Sequence, residues 1–220
     1  MNIDKILKDA LNIYHYGSFV YGTFQKKISD YDYIVILKDE FFELDKQQYE
    51  HENCQYSFYI ASTWQRMLNN NEVVAIETFF LNKKYIVKET KVFETNIDIK
   101  KIRENFSKTA SNSFVKCKKK LTVSESFNPR IAKKSLWHSL RIIDFGIQVI
   151  TYGEIKNYSN LNYLYDEIVN CDNNDWDYYH KKYKLLYNSL KTTFRQKANI
   201  KWELVKLLAK LLVKLLVKNF

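Results

Sequence analysis

Residues 16–35 read YGSFVYGTFQKKISDYDYIV, with a Gly17-Ser18 pair after one apolar run. Asp30 and Asp32 stand two residues apart at the start of a second apolar run. Because residues i and i+2 of a strand point to the same face, we expect the two carboxylates to lie side by side. Mg2+ is usually held by one or two such carboxylates together with substrate phosphates. Gly17 permits a tight turn close to a phosphate and the Ser18 hydroxyl can donate to it, so the stretch predicts phosphoryl or nucleotidyl transfer.

The run Gly17-Ser18, Gly22 and Ser29-Asp30-Tyr31-Asp32 resembles the GS…DxD pattern of the DNA polymerase β-like nucleotidyltransferase superfamily. The resemblance implies a mixed sheet with flanking helices, a nucleoside triphosphate substrate and catalysis by two metal ions. Asp30 and Asp32 are then the predicted catalytic and metal-binding residues, with Mg2+ or Mn2+ as cofactor. Gly17 and Ser18 are the predicted nucleotide-binding residues.

A second stretch, residues 133–153, resembles the helical half of the RlaP/YcgL-like predicted nucleotidyltransferases, in which a KxxxHxxR-type helix follows the α/β domain. Lys134, His138 and Arg141 are spaced i, i+4 and i+7 and therefore share one helix face. Lysine and arginine are natural phosphate donors, so we predict that Lys134 and Arg141 bind the triphosphate or the acceptor. The alternative is a solvated basic stripe in which His138 is a packed histidine.

The chain departs from the superfamily pattern at the third carboxylate, which active members usually carry on a later strand. Aligning that pattern places Gln55 at the acidic position. A glutamine offers a carbonyl oxygen but no charge, so it is a poor Mg2+ ligand. Glu52 can replace the acid only if the strand register or a bulge differs, and Glu50 is a weaker candidate.

We predict a cytoplasmic α+β protein in two parts. At 220 residues and 46% apolar content, the chain can form one large domain or two small ones. We predict a nucleotidyltransferase-like α/β domain at 1–96, a helical domain at 97–198 and an amphipathic helix at 199–220.

Strands are expected at 12–16, 31–37 and 55–60, while residues 85–87 and 92–93 leave a strand or a connection open. Helices are expected near 3–10, 62–69 with Ser62 as N-cap, 72–81, 97–120, 131–151, 161–170 and 174–198.

A formal net charge of +10 favours a polyanionic partner such as RNA, or an anionic membrane surface. The basic run at 116–120 agrees with an RNA acceptor, although an ordinary solvated helix end is the favoured explanation of it. The N-terminal residues carry acids and no apolar signal core, which argues against secretion.

Residues 201–220 read KWELVKLLAKLLVKLLVKNF, with lysines at 206, 210, 214 and 218. A four-residue step drifts by about 40°, so the lysines cover an arc of about 120° on an otherwise apolar helix. Three interpretations stay open: a helix packed on the helical domain or in a homodimer, an interfacial membrane helix, or an extension of a nucleic-acid groove.

The motifs together predict a Mg2+-dependent nucleotidyltransferase that transfers an NMP from an NTP to a hydroxyl of RNA, a protein or a small molecule. The alternative is a weakened relative that binds nucleotide or nucleic acid without turnover, because Gln55 replaces the acid. A membrane-interaction protein built around residues 199–220 is a third possibility, but it leaves Gly17, Ser18, Asp30 and Asp32 unexplained.

Overall fold

The computed structural model describes residues 2–26 and 29–218, except for the side chains of residues 209 and 211–218. The chain divides into two units. The first, a sheet unit, contains Met1–Ile97 and Ile155–Glu167. The second, a helical unit, contains Asp98–Glu154 and Ile168–Phe220. Mixed α+β architecture is therefore confirmed, with a sheet and flanking helices in the N-terminal part and a helical region after it.

A five-stranded mixed sheet forms the centre of the sheet unit. Its strands are β1 (Asn12–Tyr16), β2 (Tyr31–Leu37), β3 (Gln48–His51), β4 (Cys54–Ile60) and β5 (Ile86–Glu89), in the order β3-β4-β2-β1-β5. β2 and β4 are parallel, and the other neighbours are antiparallel. β1, β2 and β4 were predicted within one residue. β3 was not, because a four-residue strand at a sheet edge that is polar and mostly exposed carries little apolar alternation.

Helix α1 (Ile3–Asp9) covers one face of this sheet. Asn2 caps it, since the Asn2 side chain accepts a hydrogen bond from the Lys5 backbone N–H at 3.1 Å. Its buried Ile3 and Ile6 belong to a core cluster with inward-facing residues of three strands, Ile13, Val35, Leu37, Tyr56 and Phe58. The alternation of β2 therefore directs Asp32, Ile34 and Ile36 to the opposite face.

Residues 1–97 of the sheet unit also contain helices α2 (Gly17–Tyr21), α3 (Ala61–Asn69) and α4 (Val73–Phe79), and two short 3-10 helices at Asp39–Leu44 and Lys83–Tyr85. The predicted cap of α3 is wrong: Ile60 occupies the N-cap position, and Ser62 lies inside the helix. Two carboxylates from the preceding segment satisfy the free N–H groups, because Asp45 accepts from the Ile60 N–H and Asp39 from the Ser62 N–H. Sequence spacing cannot show such caps, since their acids are 15 and 23 residues away.

The helical unit is built on α5 (Ile99–Thr122), α6 (Pro129–Tyr152) and α8 (Trp176–Lys218). In sequence, the division of the chain after Glu167 falls within α7 (Tyr163–Val169). Asn128 caps α6, Pro129 occupies its first turn, and Gly153 ends it with φ +82°. Sixteen residues of α6 are buried, among them Leu136, Leu140 and Ile143, as the helical spacing predicted. At Gly146 a Cβ would lie 2.6 Å from the Phe194 ring, so glycine permits close packing of α6 on α8.

Helix α8 joins the two helices predicted at 174–198 and 199–220 into one. The sequence changes composition near residue 199, but residues 176–218 contain neither glycine nor proline to stop a helix. Over the residues that the structure describes, no helix is long and apolar enough to cross a membrane.

Candidate active site

The turn that follows β1 brings its backbone against Asp32. Gly17 begins α2 with φ +64°, in the left-handed region that favours glycine. A Cβ at this position would lie 2.7 Å from Cγ of Asp32 and overlap its carboxylate. The structure thus brings together Gly17 and Asp32, two of the predicted site residues. A residue with a Cβ at position 17 would overlap the Asp32 carboxylate.

The two aspartates occupy the entrance of β2. Asp32 is the second residue of the strand and is partly buried, while Asp30 directly precedes the strand and is exposed. The alternation of β2 puts Asp32 on the face opposite α1, and Asp30 lies two residues before it. The backbone here is fixed from the neighbouring hairpin, because the Tyr31 N–H donates to the Asn53 carbonyl at 2.8 Å.

Sheet register extends this site into a row across four strands. Tyr16 of β1 pairs with Asp32, Asp32 with Gln55 of β4, and Gln55 with Glu50 of β3. Paired residues of adjacent strands point to the same face, so the four side chains line one surface. Gln55 therefore occupies the position beside Asp32 that the third carboxylate of the superfamily was expected to fill.

Glu50 and Glu52 differ in their relation to this row. The Gln55 side-chain amide donates to Glu50 Oε1 at 3.4 Å. Glu52 lies in the two-residue turn between β3 and β4 with φ +52°, and the pairing of these strands is regular. The register change that Glu52 needed is absent from this hairpin. Glu50 stands two strands from Asp32, about 9.6 Å at the usual strand spacing, and its carboxylate accepts from Gln55, which lies between them.

Asp30 and Asp32 suit a divalent cation. They offer hard oxygen ligands at the entrance of β2, beside a turn whose glycine lets the Asp32 carboxylate approach the backbone. Within residues 2–26 and 29–218, no group of three or more His, Cys, Asp and Glu side chains is arranged as a metal site. The donor set is thus an aspartate pair, to which substrate phosphates can add further oxygens.

A buried carboxylate, which the sequence analysis missed, fixes the residue next to Gly17. Glu77 of α4 is fully buried, and its Oε2 accepts hydrogen bonds from the hydroxyls of Tyr16 and Tyr21, each at 2.7 Å. Burying a carboxylate is costly unless it is hydrogen-bonded, and the two phenols provide that compensation. The signal in the sequence was an acid inside the apolar run 73–81.

Residues 155–167 return to the sheet unit and support the same turn. The Tyr158 hydroxyl donates to the Glu77 carbonyl at 2.6 Å, and the Asn162 side-chain amide donates to the Tyr21 carbonyl at 2.7 Å. A short segment that is distant in sequence therefore holds both ends of the Tyr21–Glu77 contact.

Lys134, His138 and Arg141 all lie on α6 of the helical unit. Arg141 is only 1% exposed, stacks on the Phe145 ring at 4.7 Å, and donates to His138 Nδ1 at 2.7 Å. Burial, with the nearby charges of Arg141, Lys116 and Lys134, holds the pKa of His138 well below its usual value. The role of Lys134 and Arg141 in binding phosphate stays a prediction.

A GS turn packed on a DxD strand, in a mixed sheet with flanking helices, defines the class as DNA polymerase β-like nucleotidyltransferases. The chain belongs to the nucleotidyltransferase domain family, whose model matches residues 1–121. The match includes Gly17, Ser18, Asp30 and Asp32 but ends before α6, and the RlaP/YcgL-like subtype stays a prediction. Membership implies NTP binding and transferase activity, in a family that generally uses divalent metals. No curated protein matches the chain.

Proposed function

We propose that this protein is a Mg2+-dependent nucleotidyltransferase that transfers an NMP from an NTP to an acceptor hydroxyl and releases pyrophosphate. The observation that supports this most strongly is the contact geometry at Gly17, where the turn backbone meets the carboxylate of Asp32. A triphosphate at the turn would then lie beside the aspartate pair. The net charge of +10 supports RNA as acceptor over a protein or a small molecule.

Each residue of the sheet-unit site has a defined task in this proposal. Asp30 and Asp32 would hold Mg2+ or Mn2+, which when bound neutralises phosphate charge and activates the attacking hydroxyl. The Gly17 backbone and the Ser18 hydroxyl would hold the triphosphate, while Tyr16, fixed by Glu77, keeps the turn in place. The acceptor oxygen bonds to the α-phosphorus, the bond to the pyrophosphate oxygen breaks, and the hydroxyl proton is released.

Lys134 and Arg141 would contribute positive charge to the phosphates in the same proposal. Their positive charge would offset the negative charge of the triphosphate or of the acceptor's backbone. The burial of Arg141 limits that role to its field or to a contact made when substrate binds.

The test is label transfer from each α-labelled NTP in the presence of Mg2+ and total RNA. The wild type should label RNA or protein, and the Asp30→Ala/Asp32→Ala double variant should lose at least about 10³-fold of the rate, because it removes the metal ligands. The melting temperature of the double variant should stay close to that of the wild type, since Asp30 is exposed and Asp32 partly so. Equal transfer by both proteins would refute the assignment.

A second candidate, binding without turnover, is supported by Gln55 in the row beside Asp32. In that case the wild type binds NTP but transfers nothing, and Gln55→Glu restores a measurable rate by adding the missing carboxylate. Gln48→Glu on the same hairpin, at an exposed position of β3, is the matched control for added charge. Transfer by the wild type at rates typical of enzymes, about 1 s⁻¹ or more, eliminates this candidate.

A further inference from the structure

The final part of α8 is a helix whose described side chains are exposed. Residues 199–218 are here called the Lys/Leu segment. Upstream of it, α8 buries Tyr179, Tyr183, Phe194 and Ala198 in the helical unit. From residue 199 onward every side chain that the structure describes is exposed. These include large apolar ones, with exposures of 42–63%: Ile200, Trp202, Leu204, Val205, Leu207 and Leu208. The structure therefore leaves the apolar side chains of residues 200–208 largely exposed. Over these residues the contact with the helical domain is limited to a groove that Ile200 and Leu204 line together with Ile150 of α6.

The charged side chains of the segment are almost all positive. Lysines recur at 201, 206, 210, 214 and 218, whereas Glu203 is its only acid. Glu203 is already paired with Lys206 at 3.0 Å. From residue 204 to residue 218 the sequence offers lysines and apolar residues without a carboxylate. A binding partner must accordingly supply both an apolar environment and negative charge.

A second copy of the chain and a nucleic acid each meet only one of these needs. Another Lys/Leu segment would cover apolar side chains but would add the same lysines, without the opposite charges that pair neighbouring helices. Nucleic acid would neutralise the lysines but leave the exposed leucines and valines in water. An anionic bilayer surface supplies acyl chains for the wide apolar face and phosphate headgroups for the lysines, whose flexible stems reach the headgroups.

We propose that the Lys/Leu segment is an interfacial helix that binds the surface of an anionic phospholipid membrane. At 1.5 Å per residue the segment is about 30 Å long, and a lysine every four residues favours a helix lying in the membrane plane. The Lys206 Nζ lies 5.4 Å from the centre of the Trp202 ring. A tryptophan ring, apolar with one polar N–H, is typical of the headgroup level of a membrane. This inference does not depend on nucleotidyl transfer.

The experiment is flotation of the full-length protein with vesicles of phosphatidylcholine alone or with 30 mol% phosphatidylglycerol. Binding to the anionic vesicles should be at least tenfold tighter and should weaken as salt screens the lysines. Lys206→Gln/Lys210→Gln should weaken it about 25-fold, at about fivefold per lysine. The matched control is Lys181→Gln/Lys184→Gln, which removes two exposed lysines of the same helix outside the segment and should change binding less than twofold.

The apolar contribution is tested with Leu204→Gln/Leu207→Gln/Leu208→Gln. All three side chains are exposed, so helix content and melting temperature should persist while binding to anionic vesicles is lost. Leu185→Gln, at a leucine of α8 that is 78% exposed, should bind like the wild type. Sedimentation equilibrium without lipid shows whether the protein forms a dimer. A dimer that the triple variant abolishes, together with no vesicle binding by the wild type, would overturn the proposal in favour of a second copy.

Discussion

The charged motif of the sheet unit and that of the helical unit lie in opposite surroundings. In the sheet unit, Asp30 is exposed and Asp32 partly buried, both at the entrance of β2 beside a glycine turn. In the helical unit, Arg141 is 1% and Asp144 7% exposed, and both lie inside α6. Asp144 accepts a hydrogen bond from Gln148 at 2.7 Å, and Arg141 lies over aromatic rings.

The difference shows that a charged motif has different uses at a strand entrance and inside a helix bundle. Charges at the start of a strand stay accessible to a ligand, and their loss affects chemistry more than stability. Charges buried in α6 must be compensated by their neighbours, so their loss affects stability first. Four substitutions separate these two consequences.

The largest effect is expected at Gly17. Gly17→Ala puts a methyl group into the Asp32 carboxylate and should lower transfer at least about 100-fold, because it displaces a reacting group by about 1 Å. Gly153→Ala is the matched control: its φ is also positive, +82°, but nothing lies within 4 Å of the added Cβ. Gly153→Ala should lose about 1 kcal/mol of unfolding free energy in urea titrations, and Gly17→Ala should lose more because of the contact with Asp32. Only Gly17→Ala should lose activity. Equal activities of the two would show that Asp32 does not act at this turn.

Arg141 should give the largest loss of stability. Arg141→Ala leaves a cavity between aromatic rings and removes a donor to His138, so we expect the unfolding free energy to fall by about 3 kcal/mol. Arg130→Ala, at an exposed arginine of the same helix, should change it by less than about 0.5 kcal/mol. A stable Arg141→Ala protein with a raised KM for NTP would instead place Arg141 among the substrate contacts.

Glu77 tests the support behind the turn. Glu77→Gln keeps the shape but removes the charge that accepts the Tyr16 and Tyr21 hydroxyls, so stability should fall by about 2 kcal/mol. Tyr16→Phe should lose about 1.5 kcal/mol, and the double variant should lose less than the sum because the two share one bond. Additive losses in urea unfolding would mean that the pair does not couple.

The smallest effect is a pH dependence of stability from His138. Its pKa lies well below the usual value in the folded protein, so below about pH 6.5 the unfolded chain binds more protons. Stability from this group is therefore complete above that pH and falls as the pH drops, by about 1 kcal/mol between pH 7 and pH 5.5. His138→Gln should flatten this part of the profile, and His51→Gln, at an exposed strand position, should not. The same slope in all three proteins would contradict the burial of His138.

Local patterns were sufficient for the elements that carry the aspartates. The alternation of β2 and the Gly17-Ser18 pair predicted strand, turn and carboxylate face, because each depends on residues close in sequence. Prediction failed where contacts were distant: the acids that cap α3, the edge strand β3 and the return of residues 155–167 to the sheet unit. The composition change near residue 199 likewise predicted a helix boundary where none exists, since no glycine or proline ends α8 there.

By itself the sequence determined the class of site, since spacing and backbone freedom are local properties of Gly17, Ser18, Asp30 and Asp32. Only the tertiary structure decided which side chains surround them. Sheet register placed Gln55 beside Asp32 and Glu50 beside Gln55, and packing buried Glu77 beneath Tyr16. Register and burial are set by contacts between residues far apart in the chain, and a single sequence does not record those contacts.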